Sequence, residues 1–528
     1  MRMRGPVVYP LLAAAYPVLA LAAANPGEIP GLWVLAWPVG LSLFIAVCAW
    51  TFLGLVNRDP DRRAFITFMV VLLFASYGYF TLSLEEVAWA APHLHTLLPF
   101  LFLGSYLAAA TYLVFRFLPN LRNLTRFLTI VTSILVLWNL AVLLQERTRT
   151  YTLDRHVEGK RVGSGTTAGR SGGGPDIYLL VLDKYTGSRS LKSNFDFDNA
   201  DFEAFLHQRG FILPRHATAN YIYTGLSLAS LLNYRYLDSL SPEPQAQRRN
   251  KAYVNHLVED NAVWRLLRAR GYKFVFFPTA FPFTATNRLA DLQVPAPRRI
   301  LSEFEIVWRR TTIAEPLLNW ICQRMSCPRR VAPFADEAKL LEWKFDQLRR
   351  LPTRPRDGRP LFVFAHLTIP HEPYIFKADC SVRPPFWPSY FVVRDERPEK
   401  QAYTAQITCL NHRLKSIVQQ LLNDSPSPPV ILLQSDHGHG RMPLHIPDVH
   451  SVTPDRIAER ADIFAAYYLP GAHARIVSDS ISPVNVFRMV FRQYFQADLP
   501  PLPNRTYWSP GTQLFQFTRV PDGQLRGD

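Results

Sequence analysis

Residues Val430–Gly440 read VILLQSDHGHG. A run of apolar and β-branched residues stops abruptly at Ser435-Asp436-His437-Gly438-His439-Gly440, so a buried strand is predicted to end in a cluster of metal-competent side chains. Four more runs of this kind stand in the same region: Asp176–Leu182 (DIYLLVL), Lys273–Phe277 (KFVFF), Leu361–Ala365 (LFVFA) and Phe464–Leu469 (FAAYYL). Helical patterns lie between them. In Ala402–Asn423, Ile407, Leu410, Leu414, Ile417 and Leu421 recur at helical spacing, and Asn199–Arg209 and Pro483–Phe495 also read as helices. Strands alternating with helices predict an α/β sheet covered on both faces, with ligands beyond the carboxyl ends of the strands.

The polar residues at those ends form a chemical set. The strand at 176–182 ends in Asp183, and the strand at 361–365 ends in His366, with Pro370-His371-Glu372-Pro373-Tyr374 just beyond. Between the first two strands, Asn220-Tyr221-Ile222-Tyr223-Thr224 leads into GLSLASLL, which sets Thr224 near a helix N-terminus suited to an anion. Asp183, Asp436 and His437 are hard or borderline ligands suited to one divalent ion, zinc or manganese first and magnesium next. A threonine hydroxyl becomes a competent nucleophile when such an ion lowers its pKa. His371 can bind a phosphoryl oxygen or protonate a leaving alcohol. Taken singly, each residue has a plainer reading. Asp183 fits a turn after a strand, Thr224 an N-cap and His371 a loop strut, and His439, His445 and His450 fit exposed positions. The order Asp, Thr, His, Asp-His along the chain favours the joint reading.

The first 145 residues differ in kind. Apolar stretches run near Val7–Ala24, Trp33–Leu55, Ala64–Leu82, Leu97–Phe117 and Phe127–Leu144, each near the ~20 residues that cross a bilayer. Five spans are therefore expected, the first with Arg2 and Arg4 ahead of it like a signal peptide but followed by four more, which favours an uncleaved helix. Loops with arginines (Arg58, Arg62 and Arg63; Arg116, Arg122 and Arg126) alternate with loops that have none (Asn25–Gly31; Glu85–His95). The positive-inside rule places the N-terminus in the cytoplasm and everything after the fifth span outside it. The expected organisation is 1–145 membrane, 146–175 a flexible basic linker (RVGSGTTAGRSGGGP at its end) and 176–528 an extracytoplasmic catalytic domain. The linker's arginines suit either anionic headgroups or a solvated tether.

Composition narrows the function classes. The 528 residues are 48% hydrophobic, which excludes a disordered chain, and the net charge of +16 is not concentrated on one basic domain, so no nucleic-acid partner is expected. Cys322, Cys327, Cys380 and Cys409 all follow residue 176, and Cys48 lies in the second span. Four cysteines allow three pairings. Local spacing favours Cys322–Cys327, leaving Cys380–Cys409; four free thiols are the alternative, and a zinc site is disfavoured because no C-x-x-C is present.

These residues resemble the alkaline phosphatase superfamily in its sulfatase-like branch, and with the membrane spans they are similar to lipoteichoic acid synthases and phosphoethanolamine transferases. The resemblance covers Asp176–Pro470. It implies a mixed sheet sandwiched by helices, Asp183, Thr224, Asp436 and His437 as metal ligands, Thr224 in YIYTGLSLASLLN as nucleophile, and His371 in HLTIPHEPY as a substrate-binding histidine. His366, His439 and His450 join His371 as substrate-binding candidates, and His450 is the candidate for any second metal. It further implies a covalent phospho-threonine, a membrane phospholipid donor, an envelope glycan or lipid acceptor, and a bacterial inner-membrane location with the catalytic domain periplasmic. Lys184 stands where formylglycine sulfatases carry a second aspartate, and no Cys/Ser-x-Pro-x-Arg surrounds Thr224, so an ordinary sulfatase is disfavoured. A membrane-anchored hydrolase of phosphate or sulfate esters would use the same residues with water as acceptor. A non-enzymatic envelope protein would be expected to have lost the metal ligands. The loops near 239–247 and 291–357 carry no readable signal.

Overall fold

A computed structural model of the chain describes residues 7–29, 31–83, 92–118, 120–159, 173–239, 251–297, 300–314, 335–383, 396–440, 448–511 and 513–525. The chain divides into two compact units, 1–157 with 301–332, and 158–300 with 333–528.

The first is a membrane unit. Four helices are long and apolar enough to cross a bilayer, at Leu32–Val56, Pro60–Phe80, Phe100–Phe117 and Arg122–Glu146. The expected fifth span, at Val7–Ala24, is a 16-residue helix, Tyr9–Ala24, and falls short of that length. At 1.5 Å per residue it reaches about 24 Å, against a hydrocarbon core of about 30 Å. Composition alone did not separate it from the others, because it is as apolar as they are. Instead of facing lipid along its length, it buries Tyr9, Ala13, Ala14, Val18, Leu19 and Ala22 among its neighbours. Ala13, Ala14, Ala46 and Val71 pack in one cluster, where small side chains let helices approach closely. Phe44, Phe52, Leu55, Phe102, Leu137 and Trp138 point outward, as lipid-facing residues do. The last helix, Arg122–Gly159, continues well past the membrane-length segment, so the stretch expected to be a flexible linker is helical as far as Gly159.

A short helix from far along the chain completes this unit. Glu303–Thr311 starts with a capping box, in which the Ser302 hydroxyl accepts from the Glu305 N–H and the Glu305 carboxylate accepts from the Ser302 N–H. Phe304 and Trp308 insert among Val18, Leu19, Ala22, Val34, Leu35 and Phe74. The Ile313 N–H donates to the Phe74 carbonyl at 3.0 Å. At Gly78 an added Cβ would sit 2.0 Å from the Arg310 carbonyl oxygen, so only glycine allows this approach.

The second unit is built on a six-stranded sheet: β1 Ile177–Leu182, β2 Lys273–Phe277, β3 Leu292–Gln293, β4 Leu361–Leu367, β5 Val430–Ser435 and β6 Ala465–Tyr468. The spatial order is β3-β2-β4-β1-β5-β6, parallel except for β6, which runs antiparallel to β5. The central strands are buried from end to end, as strands covered on both faces must be. The helix Glu396–Asp424 packs Ile407, Leu410, Leu414, Ile417 and Leu421 on one face of the sheet, the stripe expected from its spacing. A disulfide joins Cys380 to Cys409 on that helix; Cys322 and Cys327 lie outside the described residues. The register decides the site. Leu182 pairs with Leu367 on one side and Ser435 on the other, so Asp183 and Asp436, each one residue further on, leave the sheet at the same level.

Candidate metal and nucleophile centre

Asp183, Asp436 and His437 converge at the carboxyl end of the sheet. One ligand atom from each lies within 4.8 Å of the others, and all three side chains are buried. Both Asp183 oxygens and Oδ2 of Asp436 are buried without a hydrogen-bond partner. Buried carboxylate oxygens in this condition are costly unless something positive meets them. The donor set, two carboxylates and one imidazole, fits a divalent cation.

Local backbone geometry aims these groups. The Asp183 N–H donates to the Leu367 carbonyl and its own carbonyl accepts from the His371 N–H, tying β1's end to the His371 loop. Lys184 follows with φ +67°, in the left-handed region, which turns its N–H onto Asp436 Oδ1 at 2.9 Å. The His437 N–H donates to the same oxygen at 2.8 Å, so Oδ2 is left for the centre. His437 Nδ1 lies 2.9 Å from the Gly438 carbonyl, an acceptor only, which assigns the proton to Nδ1 and leaves Nε2 unprotonated. Nε2 is 3.1 Å from Thr224 Oγ1. The Arg460 guanidinium also donates to it at 3.2 Å.

Thr224 is the first residue of a buried helix, Thr224–Asn233, as its sequence position predicts. One turn on, Ser227 donates to the Asp436 carbonyl at 2.7 Å and draws the helix N-terminus against β5's end. His366 stands inside the sheet on β4. Its Nε2 is 3.2 Å from Asp183 Oδ2 without hydrogen-bond alignment, and its Nδ1 meets Thr284 Oγ1 at 3.1 Å. His366 is therefore brought to the cluster, with Nε2 able to serve as a further ligand. His371 is half-buried on the adjoining loop, its ring edge-on to Phe281.

The other two histidines are placed differently. His439 is buried with both ring nitrogens engaged, Nδ1 by Glu459 and Nε2 by the Tyr374 hydroxyl, each at 3.1 Å. His450 is exposed on the one-turn helix Val449–Ser451 and is not part of the cluster. His445 lies outside the described residues.

Electrostatics follow from enclosure. Burial opposes ionisation of Asp183, but His371 and His366 beside it hold its carboxyl below the usual carboxylate range. Burial, and then the Asp183 charge, push Asp436 up to about 6. Two carboxylates facing one space cannot both ionise freely without a cation between them. Burial, followed by Arg460, holds His437 well below the usual imidazole value, so it stays neutral and able to ligate.

Three further residues shape the site without having been visible as candidates. Lys184 is buried and pairs with both Glu372 oxygens at 2.7 Å, clamping the His371 loop to β1's end. Burial opposes the Glu372 charge, but Lys184 holds its carboxyl below the usual range. Arg460, on the helix Pro454–Ala461, donates to the Ile222 carbonyl from Nε and Nη2 and to the His439 carbonyl from Nη1, joining the strand end to the approach to Thr224. Lys184 beside Asp183 was the only signal in the sequence; nothing in the pattern around Glu372 or Arg460 sets them apart from surface charges.

No protein-family model and no curated protein sequence matches the chain. Solved structures do. The zinc complex of the C-terminal periplasmic domain of EcEptC from Escherichia coli is 13% identical, over 68% of this chain and 97% of that one, with a TM-score of 0.40. The integral membrane lipooligosaccharide phosphoethanolamine transferase A (EptA) from Neisseria meningitidis is 13% identical, over 92% of this chain and 93% of that one, with a TM-score of 0.38. A protein in the alkaline phosphatase superfamily from Vibrio parahaemolyticus is 11% identical, over 65% and 74%, with a TM-score of 0.37.

Proposed function

We propose that this chain is a membrane-anchored, metal-dependent transferase that moves a phosphorylated headgroup from a membrane phospholipid to an envelope glycan or lipid. The observation that carries this reading is the placement of Thr224 Oγ1 3.1 Å from His437 Nε2, at a helix N-terminus and beside carboxylates with three unpartnered oxygens. Asp183, Asp436 and His437 would hold the ion, with Thr224 and His366 within reach. A bound divalent ion would lower the pKa of the threonine hydroxyl and offset charge on the phosphoryl group.

The chain's own groups do the rest. Thr224 Oγ, having released its proton to water, forms a bond to phosphorus as the bond to the diacylglycerol oxygen breaks, and His371 delivers the proton that the leaving alcohol needs. An acceptor hydroxyl then attacks the same phosphorus, the threonine–phosphorus bond breaks, and His371 takes the acceptor's proton. The backbone N–H groups opening the Thr224–Asn233 helix face the developing phosphoryl charge. A lipid donor suits a catalytic unit carried on membrane helices. A disulfide at Cys380–Cys409 suits an oxidising, extracytoplasmic compartment. The arginine-bearing loops at 58–63 and 116–126 then face the cytoplasm.

Intact mass spectrometry after incubation with total membrane lipid tests this reading. A covalent adduct on the wild type and none on Thr224→Ala is expected, and the added mass names the transferred group. The same adduct on Thr224→Ala would overturn it. Turnover without any acceptor alcohol, with phosphorylated headgroup released to water, would make the enzyme a hydrolase.

A further inference from the structure

A cavity of about 440 Å³ lies in the α/β unit against the helix Pro483–Phe495. Asn485, Arg488, Met489, Arg492 and Gln493 line it from one face of that helix, at the spacing that ordinarily carries an apolar stripe. Arg475 lines it from the preceding turn, Ala474–Ile476. Three arginines therefore line one cavity, and no aspartate or glutamate is among the lining residues. Asp479, on the adjoining loop, is held by Arg215 at 2.7 Å. Arg488 is the buried member: its Nε donates to the Pro500 carbonyl at 2.7 Å and its Nη1 to the Tyr234 carbonyl at 3.1 Å, while Nη2 has no protein partner among the described residues.

Arginines one turn apart on a helix repel, and a partly desolvated guanidinium without a counter-charge is unfavourable. An anion between them removes both costs, and the planar fork of arginine matches phosphate oxygens in particular. Ile481 and Leu502 form an apolar part of the wall, beside the polar Ser478 and Asn504. We propose that this cavity binds a phosphate ester, with the phosphate on the three arginines and its organic substituent against the apolar wall. The cavity is separate from the Thr224 centre. Arg488 bonds the C-terminal cap of the helix that Thr224 begins, and that ten-residue helix is about 15 Å long.

The phosphate could belong to a soluble molecule or to a lipid headgroup, and the test separates them. The purified full-length chain in detergent, kept metal-free with a chelator, is titrated calorimetrically with inorganic phosphate and with glycerol 3-phosphate. Saturable binding is expected in the wild type and in Thr224→Ala. It should weaken about tenfold or more in Arg475→Ala/Arg492→Ala, two exposed positions, with the melting temperature unchanged. No saturable binding to the wild type, equal binding to the double variant, or loss of binding in Thr224→Ala would each overturn the proposal. The titration is then repeated in phosphatidylcholine nanodiscs with and without phosphatidylglycerol, at an ionic strength that screens the bilayer charge. Weaker apparent phosphate binding with phosphatidylglycerol supports the site and assigns it to a lipid headgroup. Unchanged binding supports it and assigns it to a soluble phosphate ester.

Discussion

Thr224 and His437 face each other across the end of the sheet, with the threonine hydroxyl 3.1 Å from the unprotonated imidazole nitrogen. They are 213 residues apart in sequence, and Ser227 and Asp436 hold their elements together one bond away. A hydroxyl at this distance from the face of a candidate metal site is placed to be both ligand and nucleophile.

Thr224→Ala is expected to abolish transfer, by about a thousandfold or more, because the covalent route is lost with the oxygen. Thr224→Ser should retain part of the activity. Metal content should survive in both, since Asp183, Asp436 and His437 remain. Adduct formation, steady-state rate and elemental analysis on the same preparations check this, and wild-type rates in Thr224→Ala would refute the assignment.

Metal affinity should depend on pH with a defined sign. Asp436 in the metal-free protein is pushed up to about 6, above its ordinary value of 3.8. Below about pH 6 the carboxyl takes up a proton that an incoming cation must displace, so affinity should fall on acidification from pH 7 to 5. The same shift makes the folded metal-free state bind the proton more tightly than the unfolded chain. Its contribution to stability is therefore greatest below about pH 4 and is lost as pH rises to about 6. Zinc should thus raise the melting temperature more at pH 7 than at pH 5, and chelation at pH 7 should reverse the gain. Equal zinc stabilisation at both values would contradict this account.

Lys184→Met leaves the partly buried Glu372 without its partner and should cost about 1–3 kcal/mol. Adding Glu372→Gln should restore much of that loss, because the stranded charge is then gone. Denaturant unfolding of the single and double variants measures the coupling; additive losses would show that the pair is not a unit.

Reducing the Cys380–Cys409 bond, which closes a 29-residue separation, should lower stability by about 3–4 kcal/mol through the entropy of the unfolded chain. Cys380→Ser/Cys409→Ser should melt at the temperature of the reduced wild type, and reductant should not move it further.

Gly78→Ala places a methyl carbon 2.0 Å from the Arg310 carbonyl oxygen. A backbone atom cannot swing aside as a side chain does, so the helix Glu303–Thr311 must shift. A loss of about 1–3 kcal/mol or more is expected. Fluorescence of Trp308, buried in this contact, should redshift in the same variant; an unchanged spectrum and melt would show that the approach is looser than described.

Much of this protein was legible along the chain. Apolar runs of strand length ended at Asp183, His366 and Asp436, and solvent exclusion alone explains why such runs become central strands. The stripe from Ile407 to Leu421 identified its helix and its buried face for the same reason, and arginine-free loops alternating with arginine-bearing ones marked the membrane half. What the linear order could not contain is level and partner. Asp183 and Asp436 form one centre only because Leu182 pairs with Ser435, and a slip of one residue would turn their side chains to opposite faces. Arg460 reads as a surface charge on an amphipathic helix until the fold brings the Ile222 carbonyl to it. Phe304 and Trp308 could announce a buried face but not that it would be buried among membrane helices about 160 to 290 residues away in sequence, because burying apolar area is non-directional and any matching surface satisfies it. Local chemistry was written in the residues, whereas their convergence depended on strand register and on long-range contacts that only the folded chain makes.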